Sequence, residues 1–378
     1  MRLLLSCIPL TLFAVLATVA IAQKNDTVVP PLEAKPPKFE KIVINASSDF
    51  EAAGVGDFNG DKKLDIVSGD TWYEAPNWTP HKFREISVWG RGPDSSGYRG
   101  SFADLPVDVN GDGKLDVVSS DYASAEIYWH ENNGTDNWPK QVIAKPSSAE
   151  TTIFAPILGK KGPVCILPNC GAQVVWYELR QGKWVEHMVG KQGAGHGIGY
   201  GDVNRDGKID LVTASGWWEC VDALADKWTW HPEYNCNPGD CSIDMPVYDV
   251  DGDKLNDIVF GSGHNYGLYW LKNLGGGKWQ QQPIDLSASQ FHALTLIGDT
   301  IYTGKRLKAH DHDPGAEEPL GIYTYRYDKK KKTWRKSVID FNSRAGTGLQ
   351  MTLADVNRDR KLDIVAPGKS GLYLFKGK

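Results

Sequence analysis

Beyond residue 22 the chain has no apolar run long enough to cross a membrane, which excludes a helical span from the mature protein. Positive charge is not in excess either. Lys and Arg number 42 against 47 Asp and Glu, and the net charge of −5 argues against nucleic acid as a partner. Cysteine is sparse, six in 378 residues, and the close pairs Cys165/Cys170 and Cys236/Cys241 both lack the two-residue spacing of a zinc knuckle. In an oxidising compartment these are natural short-range disulfide partners, with Cys220 left over and the connectivity open.

What the chain does have begins with its first 22 residues. Arg2, an apolar run from Leu3 to Ala22 and the small-x-small ending Ala20-Ile21-Ala22 read as a secretory signal cleaved near Ala22, so the mature protein is expected to be secreted or periplasmic; the alternative is an uncleaved anchor, the run being nearly long enough to span. Residues 23–37 hold Pro30, Pro31, Pro36 and Pro37 among charged residues and read as a flexible leader. One domain, 38–378, follows. The run Lys329 to Lys332 before Trp334 reads as a solvated hairpin tip.

Five segments repeat one pattern of oxygen side chains at positions 1, 3, 5 and 9. They are Asp57, Asn59, Asp61, Asp65; Asp108, Asn110, Asp112, Asp116; Asp202, Asn204, Asp206, Asp210; Asp249, Asp251, Asp253, Asp257; and Asp355, Asn357, Asp359, Asp363. Oxygen ligands at this spacing suit calcium, which takes six to eight of them in flexible geometry, so up to five structural Ca²⁺ sites are expected. Position 6 calls for a left-handed residue. It is Gly113 and Gly207 in two copies but Lys62, Lys254 and Arg360 in the others, where weaker occupancy is expected.

The first aspartates stand at 57, 108, 202, 249 and 355, so two intervals are twice the others and two degenerate copies belong near 155 and 299. Seven units of about 50 residues result, a period that signals a propeller or solenoid. Each unit reads as four short strands, as in Leu105 to Val109, Leu115 to Ser119, Glu126 to Trp129 and Gln141 to Ile143. Four strands make one blade, and the fold class is an all-β, seven-bladed β-propeller. The last unit supplies only three strands, so Phe39 to Ile44 is expected to close the seventh blade.

If each calcium loop joins strands one and two of its blade, the loops share one face of the disc. The opposite face receives the strand entries, with Glu51, His196 and His292, and the two-to-three connections, with Trp217-Trp218-Glu219, His264 and the insertion Lys305 to Pro319. That insertion carries His310, His312, Glu317 and Glu318, and long loops on rigid scaffolds serve as lids or binding loops. The calcium loops read as structural staples, and most tryptophans as blade core.

The Asp-x-Asn/Asp-x-Asp repeats with following Leu-Asp-Ile-Val resemble the FG-GAP, or VCBS-type, repeats of integrin-α-like propellers across nearly all of 38–378. Three stretches carry a narrower resemblance, to the propeller portion of fungal aldos-2-ulose dehydratase and its bacterial single-domain relatives. They are Gly195-His196-Gly197-Ile198-Gly199 with Gly216-Trp217-Trp218-Glu219, Phe291-His292-Ala293-Leu294, and Thr303-Gly304-Lys305-Arg306 continuing to Pro319. The further β-domains of that enzyme are missing here, and nothing housed in them carries over.

The resemblance implies a carbon–oxygen lyase eliminating water from a keto-sugar, with a base near neutral pKa and a cation at the developing oxyanion. The residues expected to do this are His196 and His292 as base or ligands of a second divalent metal, Lys305 and His310 as electrophile or proton donor, and Glu219 in support. Trp217, Trp218, His264, His312 and Glu317 are expected to contact the carbohydrate. The competing reading is a non-catalytic propeller that binds glycan or protein at the cell surface.

Overall fold

A computed structural model describes residues 28–89, 97–236 and 240–378, so the expected signal at 1–22 and the first residues of the leader lie outside the described residues. Strand follows strand throughout, with one short 3₁₀ turn at Ala223–Ala225. Seven four-stranded antiparallel sheets form, six of them with strands in chain order: residues 54–82, 105–144, 149–190, 198–231, 247–289 and 294–341. The seventh joins Thr352–Ala354, Asp363–Gly368 and Gly371–Gly377 to Phe39–Asn45, whose Phe39 pairs with Gly377 and Val43 with Tyr373.

The second strand is buried on both faces in every blade but the sixth, as in Asp65–Ser68 and Asp210–Thr213. That explains the continuous apolar text after each loop, because neighbouring blades cover both sides of the strand. Each of the seven blade-to-blade interfaces holds its own apolar cluster. Val356, Val365 and Leu372 of blade seven, for example, pack with Ala53, Ile66 and Tyr73 of blade one. The inner strands crowd the axis. A Cβ on Gly54 would stand 2.4 Å from the Asp104 carbonyl oxygen, and one on Gly199 2.4 Å from that of Met245.

Two expectations change. The leader is docked from Val28 on: Leu286 N donates to Val28 O at 2.9 Å, Glu33 N to Lys336 O at 2.8 Å and Lys336 N to Pro31 O at 3.1 Å, while Arg326 pairs with Glu33. Proline donates no hydrogen bond but its carbonyl still accepts one, so a proline-rich segment can line a sheet edge. Cys165 and Cys170 begin and end a single strand, Cys165–Cys170, and five residues of extended chain span roughly 16 Å, far beyond disulfide reach. Cys236 and Cys241 are neighbours, with Cys241 Sγ 3.2 Å from Cys236 O, and all five described cysteines are buried free thiols.

An element the sequence reading did not separate lies between blades one and two. There Val88–Trp89 pairs with Tyr98–Arg99 in a two-stranded ribbon.

Candidate functional site

The loops between first and second strands are organised by their aspartates. In the first, Asp57 accepts the N–H groups of Gly60 and Lys62, and Asp65, fully buried, accepts those of Phe58 and Ala75. The same double staple recurs at Asp116, Asp210, Asp257 and Asp363. Position 6 is left-handed in every copy, glycine or not, with φ of 69° at Lys62, 73° at Lys254 and 69° at Arg360. In blade five, one carboxylate oxygen each of Asp249, Asp251 and Asp257 lies within 4.8 Å of the others, and Lys272 reaches Asp251 and Asp253.

The opposite face carries a different chemistry. Pairing aligns all seven inner strands, since Gly56 faces Asp65, Gly201 faces Asp210, Ile297 faces Thr300, and Ala155 N donates to Cys165 O. In this register one position, three residues before the inner strand of blade one, is occupied by Glu51, Phe102, Glu150, His196, Ile243, His292 and Leu349 in turn. Its four polar members converge at the mouth of the axis. His264, from the two-to-three turn of blade five, and His310 and Asp313, from the blade-six insertion, close over them.

The hydrogen bonds fix where the protons are. His196 Nδ1 lies 2.5 Å from Cys241 O and His264 Nδ1 2.9 Å from an Asp313 carboxylate oxygen. Carbonyl and carboxylate oxygens only accept here, so both Nδ1 atoms carry hydrogen and Nε2 is the atom of each ring left to ligate. Those Nε2 atoms are 3.3 Å apart, and Glu150 Oε2 is 2.9 Å from that of His196. By the same rule Glu150 accepts a proton from His196 Nε2, and a cation that displaced it would meet three electron-pair donors at one point.

Electrostatics follow from that crowding. Burial works to lower the His196 pKa, but the Glu150 charge and hydrogen bond outweigh it and the pKa is raised. Burial likewise works against ionised Glu150, but His196 and Arg306 hold the carboxyl down to about 2. His292 is pushed well below the usual range by burial and then by the Arg306 charge.

Arg306 is the residue most firmly held. It is 2% exposed, pairs bidentately with buried Glu51 at 2.7 and 3.0 Å, and lies 2.9 Å from His292 Nε2 through Nη1. The His292 Nε2 lone pair is therefore engaged by Arg306, leaving its Nδ1 buried without a partner. Glu150, His196 and His264 are the three donors a cation would meet once it displaced the proton between His196 and Glu150. His292 is the fourth, its Nε2 3.9 Å from Glu150 Oε1 and all four ligand atoms within 4.8 Å of one another.

A cavity of about 220 Å³ opens beside this group. One wall is Glu150, His196, His264, Arg306 and His310; the other is aromatic, Trp89, Tyr98, Phe102 and Tyr122. Trp89 stacks on Tyr98 at 4.8 Å and on Tyr122 at 5.6 Å.

The expected residues divide sharply. His196, His264, His292 and His310 come together. Lys305 does not line the cavity; it is 1% exposed beneath the insertion, near Gln290 Oε1 at 3.4 Å, and burial lowers its pKa to about 8. Trp217 and Trp218 are blade core, Trp217 stacked on His231 and Trp218 bonded to Gln192 O. Glu219 lies on the loop side, holding Asn204 at 3.1 Å and His231 at 2.9 Å, as Glu74 holds Asn59 and His81 in blade one. Trp218 pairs with Leu211, so Glu219 already stands beside Asp210 at the loop end of the strand. His312 and Glu317 are solvent-exposed, Glu317 paired with Lys308. The reading from sequence missed Glu150, Arg306 and the aromatic wall.

Residues 108–158, spanning blade two and the start of blade three, match the family model of an FG-GAP-like repeat. Compared by sequence with curated proteins, the chain finds no match. Among solved structures it is similar to virginiamycin B lyase from Staphylococcus aureus, with a TM-score of 0.51 and 11% identity over 89% of this chain and 98% of that one. It is also similar to a rhamnogalacturonan lyase, with a TM-score of 0.45 and 14% identity over 92% and 75%. An Agrocybe aegerita lectin recognising non-reducing terminal N-acetylglucosamine gives a TM-score of 0.43 and 12% identity over 82% and 92%. The chain is an all-β, seven-bladed propeller carrying an FG-GAP-like repeat. At these identities the likeness extends to the fold and assigns no residue a role.

Proposed function

We propose that the front face eliminates water from a keto-sugar, and that the back face is stapled by calcium. The observation that carries the first part is the meeting of three side chains able to ligate a metal, Glu150, His196 and His264, on one wall of a cavity whose other wall is aromatic. The donor set fits a divalent metal, since two imidazoles and a carboxylate with room beside them match metal sites that keep an open position. Such an ion would supply charge stabilisation for the oxyanion formed when a proton leaves the carbon next to a carbonyl.

The remaining work falls to side chains. His310 stacks on His264 at 4.8 Å, outside the four-donor set. Burial and then the neighbouring His264 lower its pKa, so it is neutral at pH 7 and able to accept that proton at Nε2. Arg306 Nη1 adds a fixed positive charge at the cavity wall, and the aromatic wall suits the apolar C–H face of a sugar ring. The keto-sugar assignment itself rests on the three resembling stretches.

The test is a panel of keto-sugars incubated with the purified protein, with and without chelator. We expect the ultraviolet absorbance of an enone, abolished by chelation. Saturable binding with no new absorbance would favour the glycan-binding propeller instead. Gly263 offers a finer probe, because a Cβ there would stand 3.1 Å from both His196 Cε1 and His292 Nε2. Gly263→Ala is expected to keep the fold and weaken titrated Zn²⁺ or Mn²⁺ about tenfold.

For the back face, the position-9 carboxylates give a pH-dependent prediction. Burial, and then repulsion from the other loop carboxylates, pushes Asp116 up to about 6 and Asp210 to about 7. Without a cation the folded state holds these protons more tightly than the unfolded chain. Their stabilising contribution is then present below the unfolded value, about pH 4, and lost as pH rises through 6 to 7. Calcium binds the ionised form and reverses the sign. The rise in Tm on adding Ca²⁺ to chelator-treated protein should therefore be larger at pH 8 than at pH 5; equal curves would remove calcium from the loops. No described helix is long and apolar enough to cross a membrane, and export through the N-terminal segment is part of the same reading.

A further inference from the structure

Tyr98 is the one cavity residue whose hydroxyl is tied directly to the proton acceptor proposed above. Its Oη lies 3.0 Å from His310 Nδ1 and donates its own hydrogen to Ala309 O. The oxygen therefore accepts from His310 Nδ1–H, which leaves His310 Nε2 with the free lone pair. The hydroxyl's hydrogen rests on a carbonyl at the cavity edge, where a substrate hydroxyl can replace that acceptor. The ring is clamped by Trp89 stacked at 4.8 Å, and the Lys369 ammonium lies 4.0 Å over its centroid. Lys369 is itself fixed by Lys308 O at 3.0 Å.

We infer that Tyr98 is a catalytic residue, the proton donor to the departing hydroxyl, working as one relay with His310. This rests on the elimination reading. His310 Nε2 takes the proton from the carbon next to the carbonyl, and that C–H electron pair becomes the new C=C bond as the β carbon–oxygen bond breaks. The hydroxyl leaves with the Tyr98 Oη proton as water, and His310 Nδ1–H returns a proton to Tyr98 Oη. Proton loss and gain balance within the pair, giving enone plus water with no oxidant or reductant; Tyr98 is restored, and His310, left as its Nε2–H tautomer, returns to the Nδ1–H form by proton exchange with solvent once product has gone.

Burial holds the phenol's pKa up to about 12, so it stays protonated until the leaving group demands the proton. Lys369 is placed to offset the transient phenolate charge. A purely structural Tyr98, pinning the blade-six insertion through Ala309, makes a different prediction, because it would affect every substrate alike.

The experiment compares a keto-sugar with its analogue bearing fluoride in place of the departing hydroxyl, since fluoride leaves without needing a proton. In the full-length protein, Tyr98→Phe is expected to slow enone formation from the hydroxyl substrate by about 10² or more and fluoride release by less than about fivefold. His310→Ala should slow both, and thermal unfolding of Tyr98→Phe should match wild type. Equal slowing of both substrates by Tyr98→Phe, or of neither, overturns the assignment while leaving elimination standing. Failure of the wild-type protein to release either water or fluoride overturns the elimination reading and the Tyr98 role with it.

Discussion

Glu150→Gln is expected to lower kcat/KM for elimination by about 10³-fold or more and to abolish binding of the divalent ion, with the fold intact. Glutamine keeps the shape of the side chain and removes its charge, so the two facing Nε2 atoms of His196 and His264, 3.3 Å apart, lose the anion that makes a cation between them favourable. The carboxylate is also the main charge sustaining the raised pKa of His196, which should fall toward that of a buried neutral imidazole. Parallel assays of enone formation, metal content and thermal unfolding separate the effects. A variant that has lost metal and activity while unfolding as wild type places the damage at the site alone.

Arg306→Met should be the most destabilising single change on the front face. It leaves Glu51, 3% exposed, without its bidentate partner, and breaking a buried pair from one side costs about 3–5 kcal/mol because an uncompensated charge remains. Replacing both partners with methionine should recover most of that stability, since the second change removes the stranded charge. Activity should not return, because Arg306 Nη1 also fixes His292 and lines the cavity. Urea unfolding of both single variants and the double variant measures the coupling. Independent, additive effects would mean the pair is not the unit described.

The blades were legible because their loops are punctuated by carboxylates that do local work, each position-9 aspartate holding two backbone N–H groups. The site was legible only where histidine marked it. Glu150 occupies the same register as His196 and His292, but blade three has lost its loop ligands and with them the landmark from which to count. Arg306 stood beside Lys305, and the side chain that reaches the cavity is the arginine; the lysine turns under the insertion. Trp217, Trp218 and Glu219 were misplaced because the turn after Thr213 is short, so the pair enters the blade core and the glutamate reaches the loop side. The ribbon carrying Trp89 and Tyr98 escaped notice for a reason of length. Blade one ends early, at Lys82, so the insertion before Leu105 left the interval between first and second loops close to the normal period.

On the proposed reading, the face away from the loops holds one cation between Glu150, His196 and His264. The measurement is elemental analysis of protein dialysed against a mixture of Zn²⁺, Mn²⁺ and Fe²⁺, with excess Ca²⁺ added to compete at the loop carboxylates, for wild type and His264→Ala. We predict one tightly held transition ion per wild-type chain and none in the variant. An equal content in both, or none in either, would contradict the site as described.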